Sequence, residues 1–514
     1  MRRMWIPAAL GLAMLAFAAP AMAVSFPDGV ASGDVTSTRA ILWTKADVAD
    51  NIKVEVFDNA ALQPPKVFQG KFKTSAARDY TVKIDATGLQ PNTQYWYRFR
   101  KDEDFSDVGT FRTAPDTNTS ANVKFTYSGD SDGTRVNGVP SFNSFEVLPR
   151  AQAENGDFFV MDGDTIYADS SFRTSPATTL SEYQAAHSEV RGYPNMRNLL
   201  ESTSTYATMD DHEVVNDYDA QTVNPARYAA GRRAFLDYWP VRETGLLHDP
   251  SCAGDPLYRT FHWGSNVDVF VLDERSCRTQ EAQAACPSPL TGIDLGPTLP
   301  TAIRTQFPFY LFLTPSPAPG CLSAINDPAR TLLGPVQKAQ FEQDLANSTA
   351  QYKMVVNEDP IMQFYALPYD RWEGYGADRS EILNFIRNNG IDNVLFLTTD
   401  SHATIQNQVF PSRFNSSGGV GDLTTIANEM VTGPIATNTF QQEVISFAGT
   451  TGLFAFNQVL NLVLIDCRNL DKNSYAVVNA NAGGNATITS KDDTGAPVVS
   501  QTNLSVQCSG TYGP

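Results

Sequence analysis

Basic side chains are scarce in this sequence: 38 Lys and Arg stand against 56 Asp and Glu across 514 residues, a formal charge of −18. Neutralising nucleic-acid phosphates takes clustered Lys and Arg, so no nucleic-acid partner is expected through a basic face; a metal cation suits so acidic a chain better. Charge of either sign is thin as well, at 18%, below the roughly one quarter usual in soluble proteins. Cysteine is limited to six residues with no C-x-x-C pair, which removes zinc-ribbon and thioredoxin-like readings. Beyond the N-terminus no apolar run approaches the roughly 20 residues of a membrane span. Disorder is excluded from the other side, because 42% of the chain is hydrophobic and 11% aromatic, enough to bury a large core in more than one domain.

Residues 1–23 read as a signal peptide. Arg2 and Arg3 form a basic start, residues 6–19 an apolar stretch, and Ala21-Met22-Ala23 a small-x-small cleavage site. Export to the periplasm or the extracellular space follows, by the general or the twin-arginine route. An oxidising compartment fits an even number of cysteines held as structural disulfides. Of the 15 pairings that six cysteines allow, the sequential one is expected: Cys252 with Cys277, Cys286 with Cys321, and Cys467 with Cys508.

Residues 24–115 read as a small all-β module. The runs 40–44, 52–56 and 80–84 alternate in polarity between Gly, Pro and Asn turn signals. The aromatic strand around Tyr95, Tyr97 and Phe99 and a closing strand at 109–115 resemble a fibronectin type III or immunoglobulin-like sandwich, with those three rings in its core. Residues 116–121 read as a linker. From 122 to 514 the pattern is α/β: apolar strands at 123–127, 158–161 and 394–398 each run into a burst of Asp, Gly or His. Layered α/β proteins build their active sites at such strand ends. Asn224 followed by Pro225 caps a helix predicted to run to residue 239. The Pro-rich stretch 279–330, with two cysteines, reads as a disulfide-pinned surface insertion, or more boldly as a lid over the site. Runs at 462–467 and 475–478 read as strands of a second sheet that closes the domain.

Asp130, Asp132, Asp164, Asp211, His212, Asp400 and His402 come from four separated segments of this kind. One Asp after a strand is ordinarily a turn residue. Four clusters in order point to a metal centre, which needs several deprotonated oxygens and an imidazole on rigid backbone. Asp164 is placed to bridge two metals, and Tyr167, three residues on, to ligate as a phenolate, which favours ferric iron. His212, directly after Asp211, is a candidate proton donor. Asp400 and His402, two apart on an extended segment, face alike. His187, His248 and His262 lack such company and read as structural or surface residues.

The wording of these motifs carries a resemblance. Gly163-Asp164-Thr165-Ile166-Tyr167, Asp210-Asp211-His212-Glu213-Val214-Val215-Asn216 and Asp370-Arg371-Trp372-Glu373-Gly374-Tyr375, with Leu333-Gly334, Gln337 and Asn357, resemble the alkaline phosphatase D (PhoD-like) family of the calcineurin-like metallophosphoesterase superfamily. The resemblance covers nearly the whole chain after the signal. It implies an α/β (α+β) fold, an N-terminal β-sandwich followed by a four-layer αββα metallophosphoesterase domain. It also implies a bridging Asp164, with Asp130, Asp132, Tyr167, Asp211, Asn216, Asp400 and His402 as further ligands and His212 as the acid that protonates the leaving oxygen. Arg379 and Arg135 are candidates for phosphate contact. One departure matters: where the family commonly has Ser-Cys-Gln, with the cysteine on iron, this chain has Gly129-Asp130-Ser131, a hard carboxylate for a soft thiolate. Fe3+ and Ca2+ are the expected cofactors, with Mn2+ or Zn2+ as substitutes.

The function expected is an exported, metal-dependent hydrolase of small phosphate esters or phosphodiesters. A phospholipase D-like enzyme acting on lipid headgroups is the sibling alternative, for which an apolar mouth at 307–313 would be diagnostic. The alternative of another class is a secreted binding protein with a catalytically dead hydrolase domain.

Overall fold

Short β-rich runs broken by turn residues gather, in the computed structural model, into two large sheets lying face to face. Residues 23–286, 298–304 and 320–513 are described; the signal peptide expected over 1–23, except its last residue, and the 307–313 run lie outside them. The first sheet has nine strands, in the order Ser509–Tyr512, Ala486–Asp492, Ser474–Ala480, Val123–Ser128, Phe158–Met161, Ser204–Ala207, Val30–Gly33, Arg39–Lys45 and Thr81–Thr87. The second has seven: Arg259–Trp263, Val267–Val271, Tyr352–Asn357, Val394–Thr398, Ala427–Val431, Thr404–Val409 and Cys467–Asn469.

The middle strands of both sheets are parallel and almost wholly buried, as parallel sheets covered on both faces must be. Phe125, Tyr127, Val160 and Tyr206 from one sheet interlock with Val269, Met354, Leu397 and Met430 from the other. The outer face of the first sheet carries the helices Val147–Ala153, Leu180–Arg191, Pro194–Ser202 and Pro225–Tyr238. Pro335–Asn347 and Gly376–Asn388 cover the second. The result is the four-layer αββα arrangement. Asn224 caps its helix as expected, its side chain accepting from the Ala226 and Arg227 amides.

The N-terminal module is a sandwich whose core holds Leu42, Val54, Val82, Tyr95, Tyr97 and Phe99. Its first sheet is not separate from the larger domain. Val30–Gly33 pairs in parallel with Ser204–Ala207, so three module strands extend the nine-stranded sheet. Trp43, on the opposite face from the sandwich core, is fully buried among the domain's helices and donates through Nε1 to the Asp237 carbonyl at 2.7 Å. Arg78 and Lys83 from the module and Arg233 from the Pro225–Tyr238 helix converge on Glu243.

Burial raises the Glu243 carboxyl, but hydrogen bonding from Arg233 and the charge of Lys83 outweigh it and hold the pKa at about 2. A depressed folded-state pKa adds stability above the ordinary value of 4.5, and that stability is lost as pH falls toward 2. Glu243→Gln is therefore expected to lower the melting temperature at neutral pH by a few degrees and to flatten its decline between about pH 4.5 and 2. A melting curve unchanged at both pH extremes would show that this junction carries no stability.

Two sequence expectations change at the C-terminal side. Residues 462–466 are not a strand; they form the turn after the helix Phe440–Leu460, and only Cys467–Asn469 joins the second sheet. That helix opens with a Thr439/Gln442 capping box and breaks at Gly449, whose φ is 66°. Interior Gly and Thr residues dilute its 3.6-residue periodicity. The strands Ser474–Ala480, Ala486–Asp492 and Ser509–Tyr512 extend the first sheet rather than the second, through an antiparallel pairing of Ser474–Ala480 with Val123–Ser128. All three sequential disulfides form, and no cysteine is free among the described residues. No described helix is long and apolar enough to cross a membrane.

Candidate active site

The carboxyl ends of the parallel strands converge at one edge of the two sheets, and the backbone there is strained. Asp130, Asp164, Asp400 and His402 all have left-handed φ, at 61°, 44°, 56° and 48°, a conformation that costs a non-glycine residue on the order of 1–3 kcal/mol and clusters at functional sites. Gly163, at φ 73°, must be glycine on a second count, since a Cβ there would lie 2.8 Å from Cβ of Asp210.

The tight turns aim side chains at one another. Ligand atoms of Asp130, Asp164 and His402 lie within 4.8 Å of each other, as do those of Asp164, Asp211 and His212. Asp164 belongs to both groups. Two more sets, Asp211 with Asp217 and Asp370, and Asp359 with Asp370 and Asp400, continue the cluster. The donor set fits metal cations on independent evidence. Asp130 Oδ2 and both oxygens of Asp359 are buried without a hydrogen-bond partner among the described residues. A cation gives such oxygens the partner that burial otherwise denies them.

Tyr167 Oη meets His402 Nε2 at 2.8 Å, and His402 Nδ1 meets Glu443 Oε1 at 2.8 Å. His212 Nδ1 lies 2.6 Å from Asp169 Oδ1. A carboxylate can only accept, so Nδ1–H donates in both histidines and leaves Nε2 turned toward the acid cluster. Asp169 also accepts from the Asn216 amide at 2.7 Å, tying the two motifs together. The Tyr167 ring stacks on His212 with centroids 4.0 Å apart.

Electrostatics agree with the geometry. Burial disfavours a charged His212, but the carboxylates of Asp164, Asp211 and Asp169 reverse this and hold the imidazole protonated well above its usual range. Burial and the repulsion of Asp210 and Asp370 push Asp400 far up, and burial lifts Asp130 to about 7. Burial, then the charges of Asp164 and Asp130, push the Tyr167 phenol well above 10. A cation among these groups would invert that field.

The sequence-derived candidates divide. Asp130, Asp164, Tyr167, Asp211, His212, Asp400 and His402 come together, with Asn216 at the lip of the cleft. Asp132 does not join them; its carboxylate accepts from the Thr134 amide at 2.9 Å and fixes its own turn. Arg379 is placed elsewhere, buried and donating to the carbonyls of Ile361, Phe410 and Pro411. Arg135 lies in a two-stranded hairpin, over the Tyr193 ring and donating to the Gly138 carbonyl. Neither guanidinium faces the acid cluster.

Sequence reasoning missed several members. Asp169 and Asp217 sit within or just after the motifs already singled out, and Asp370 opens one of them. Glu443 belongs to the unforeseen helix and carried no signal. Buried Arg275 chelates Asp370 through Nη1 and Nη2 at 2.9 and 3.0 Å, pairs with Asp210 and approaches Asp359 at 3.6 Å. A cleft of about 540 Å³ opens beside the cluster, lined by Asp370, Asp400 and Glu443 together with Leu367, Phe440 and Phe447.

Known proteins share this architecture. Alkaline phosphatase D of Bacillus subtilis (strain 168) is 26% identical over 417 residues, covering 74% of this chain and 64% of its own length. The match thus spans less than two thirds of that relative. A solved structure of PhoD superposes with a TM-score of 0.71 at 22% identity, over 95% of this chain and 89% of its own. Purple acid phosphatase PPD1 from yellow lupin (Lupinus luteus) seeds follows with a TM-score of 0.56 at 11% identity, over 94% and 73%. The PhoD-like phosphatase N-terminal domain profile matches residues 12–115, and the PhoD-like phosphatase profile itself matches residues 136–481. With more than half of its length under that profile, the chain belongs to the PhoD-like phosphatase family.

Proposed function

We propose that the chain is an exported, metal-dependent phosphate-ester hydrolase, and that residues 24–115 serve it as a structural module. The observation that carries this reading is the position of Asp164, shared by two ligand groups with His212 in one of them. Fe3+ is the ion that Tyr167, Asp130, Asp164 and His402 suit. The oxygen-rich side around Asp211, Asn216 and Asp400 suits Ca2+, with Mn2+ or Zn2+ as substitutes. Bound there, such ions polarise the phosphoryl oxygens and make water a nucleophile near neutral pH.

The chain's own residues do the rest. Asp169 fixes the tautomer and orientation of His212, whose Nε2–H faces the place of the leaving oxygen and supplies its proton. Glu443 orients His402 in the same manner. The name of the Bacillus relative, alkaline phosphatase D, supports phosphate esters as substrates. The complete acid cluster and the His212–Asp169 pair are features a dead hydrolase domain would be free to lose.

Chelation tests the reading. Purified protein is expected to contain metal, to hydrolyse p-nitrophenyl phosphate, to lose that activity after EDTA and dialysis, and to regain it on metal addition. A visible charge-transfer band in the loaded protein would mark iron on Tyr167. Full activity in metal-free protein would sink the proposal.

A further inference from the structure

Arg371 and Ser401 stand side by side on the wall of the cleft next to Asp400, and both have unmet hydrogen-bonding capacity. Arg371 is only 8% exposed, with its guanidinium 4.9 Å from the centroid of the Phe364 ring. Among the described residues no carboxylate or carbonyl accepts a hydrogen bond from it. Its neighbour Asp370 does not neutralise it, being held by Arg275 and Arg278. Ser401 Oγ is likewise buried with no hydrogen-bond partner. Both residues also line a small apolar pocket with Phe364, Ile405 and Phe440.

A guanidinium carries five N–H donors and remains charged at any ordinary pH. Held against an aromatic ring with no protein acceptor, it has its donors free for an oxygen from the cleft, and leaving a buried hydroxyl unpaired is costly. Two such groups, from different segments and facing one cleft, mark the place of an anionic oxygen brought in from outside. We propose that Arg371 and Ser401 form the subsite for the terminal oxygens of the substrate phosphate, and that the pair selects phosphomonoesters over phosphodiesters; this rests on the phosphoesterase reading above. A monoester presents three terminal oxygens and two charges, a diester two oxygens and one charge. A fork-shaped, permanently charged donor beside a hydroxyl donor gains from the additional charged oxygen and loses it with a diester.

Arg371→Met tests this, because the methionine stem keeps the packing on Phe364 and only the charge and donors go. The inhibition constant of inorganic phosphate is expected to rise by about 10- to 100-fold, the range of a charge-assisted hydrogen bond. The kcat/KM for p-nitrophenyl phosphate should fall by a similar factor and that for bis(p-nitrophenyl) phosphate by less than about threefold, with metal content unchanged. Arg371→Lys, which keeps the charge but not the fork, should lie between, and Ser401→Ala should lose several-fold. An unchanged phosphate inhibition constant in a folded, metal-replete Arg371→Met variant would overturn the subsite. Equal losses on both esters would overturn the selectivity. Were the wild-type protein to hydrolyse no phosphate ester at all, calorimetric titration of inorganic phosphate into metal-loaded wild-type and Arg371→Met protein would still decide the subsite on its own.

Discussion

Asp164→Ala is expected to lower kcat/KM for p-nitrophenyl phosphate roughly a thousandfold or more, the equivalent of several kcal/mol of lost charge stabilisation, with bound metal falling in step. The prediction is strong because one carboxylate serves two ligand groups and also accepts from the His212 amide at 3.2 Å. The same change should not destabilise the metal-free protein. Burial holds this carboxyl far above its ordinary range, and Asp211 and Asp210 push it further, outweighing the attraction of His212, so its removal relieves repulsion. Metal-free variant and metal-free wild type should therefore melt at similar temperatures, whereas the rise in melting temperature on adding metal should shrink in the variant. A variant that keeps both its metal and its rate would move the reaction centre away from Asp164.

His212→Gln should be nearly as damaging, but selectively. Loss of a general acid costs about 10²- to 10⁴-fold where the departing oxygen needs a proton. Alkyl phosphates should show that loss in kcat, while p-nitrophenyl phosphate, whose leaving group departs unprotonated, should show much less. Asp169→Asn, which disturbs the tautomer without removing the ring, should fall between. The pH profile gives a second reading. Because surrounding carboxylates raise the His212 pKa, the acid form persists through neutral pH and is lost only as pH climbs through that raised value. Wild-type turnover of alkyl phosphates should carry an alkaline limb that His212→Gln lacks. Equal losses on good and poor leaving groups would assign His212 to ligation or structure instead.

Much of this site was readable before any coordinates because its parts are local. A strand that ends in Asp-Gly-Asp or Asp-Ser-His advertises a tight turn, and left-handed φ values at Asp130, Asp164, Asp400 and His402 are what those turns required. The linkages between distant segments were not readable. Glu443 meets His402 from a helix that the strand-like composition after residue 411 concealed. The fusion of the sandwich into the large sheet runs through Val30-Ala31-Ser32-Gly33, four residues too short and too small to show a pattern. Arg379 and Arg135 looked like phosphate ligands only because sequence cannot show a guanidinium already occupied by carbonyls.

The order of strands in the large sheet also bears on the export proposed above. Val123–Ser128 is flanked by Phe158–Met161 on one side and by Ser474–Ala480 on the other, so Ser128 waits for Ser474, 346 residues further along, to complete that edge. A chain threaded N-terminus first, at a pace like that of synthesis, would hold the edge open for on the order of tens of seconds, and an open strand edge invites pairing between chains. Such late, non-local closure also makes folding slow. For the export proposed above, passage in the finished, folded state, or under continuous escort by a holding chaperone, would remove the hazard.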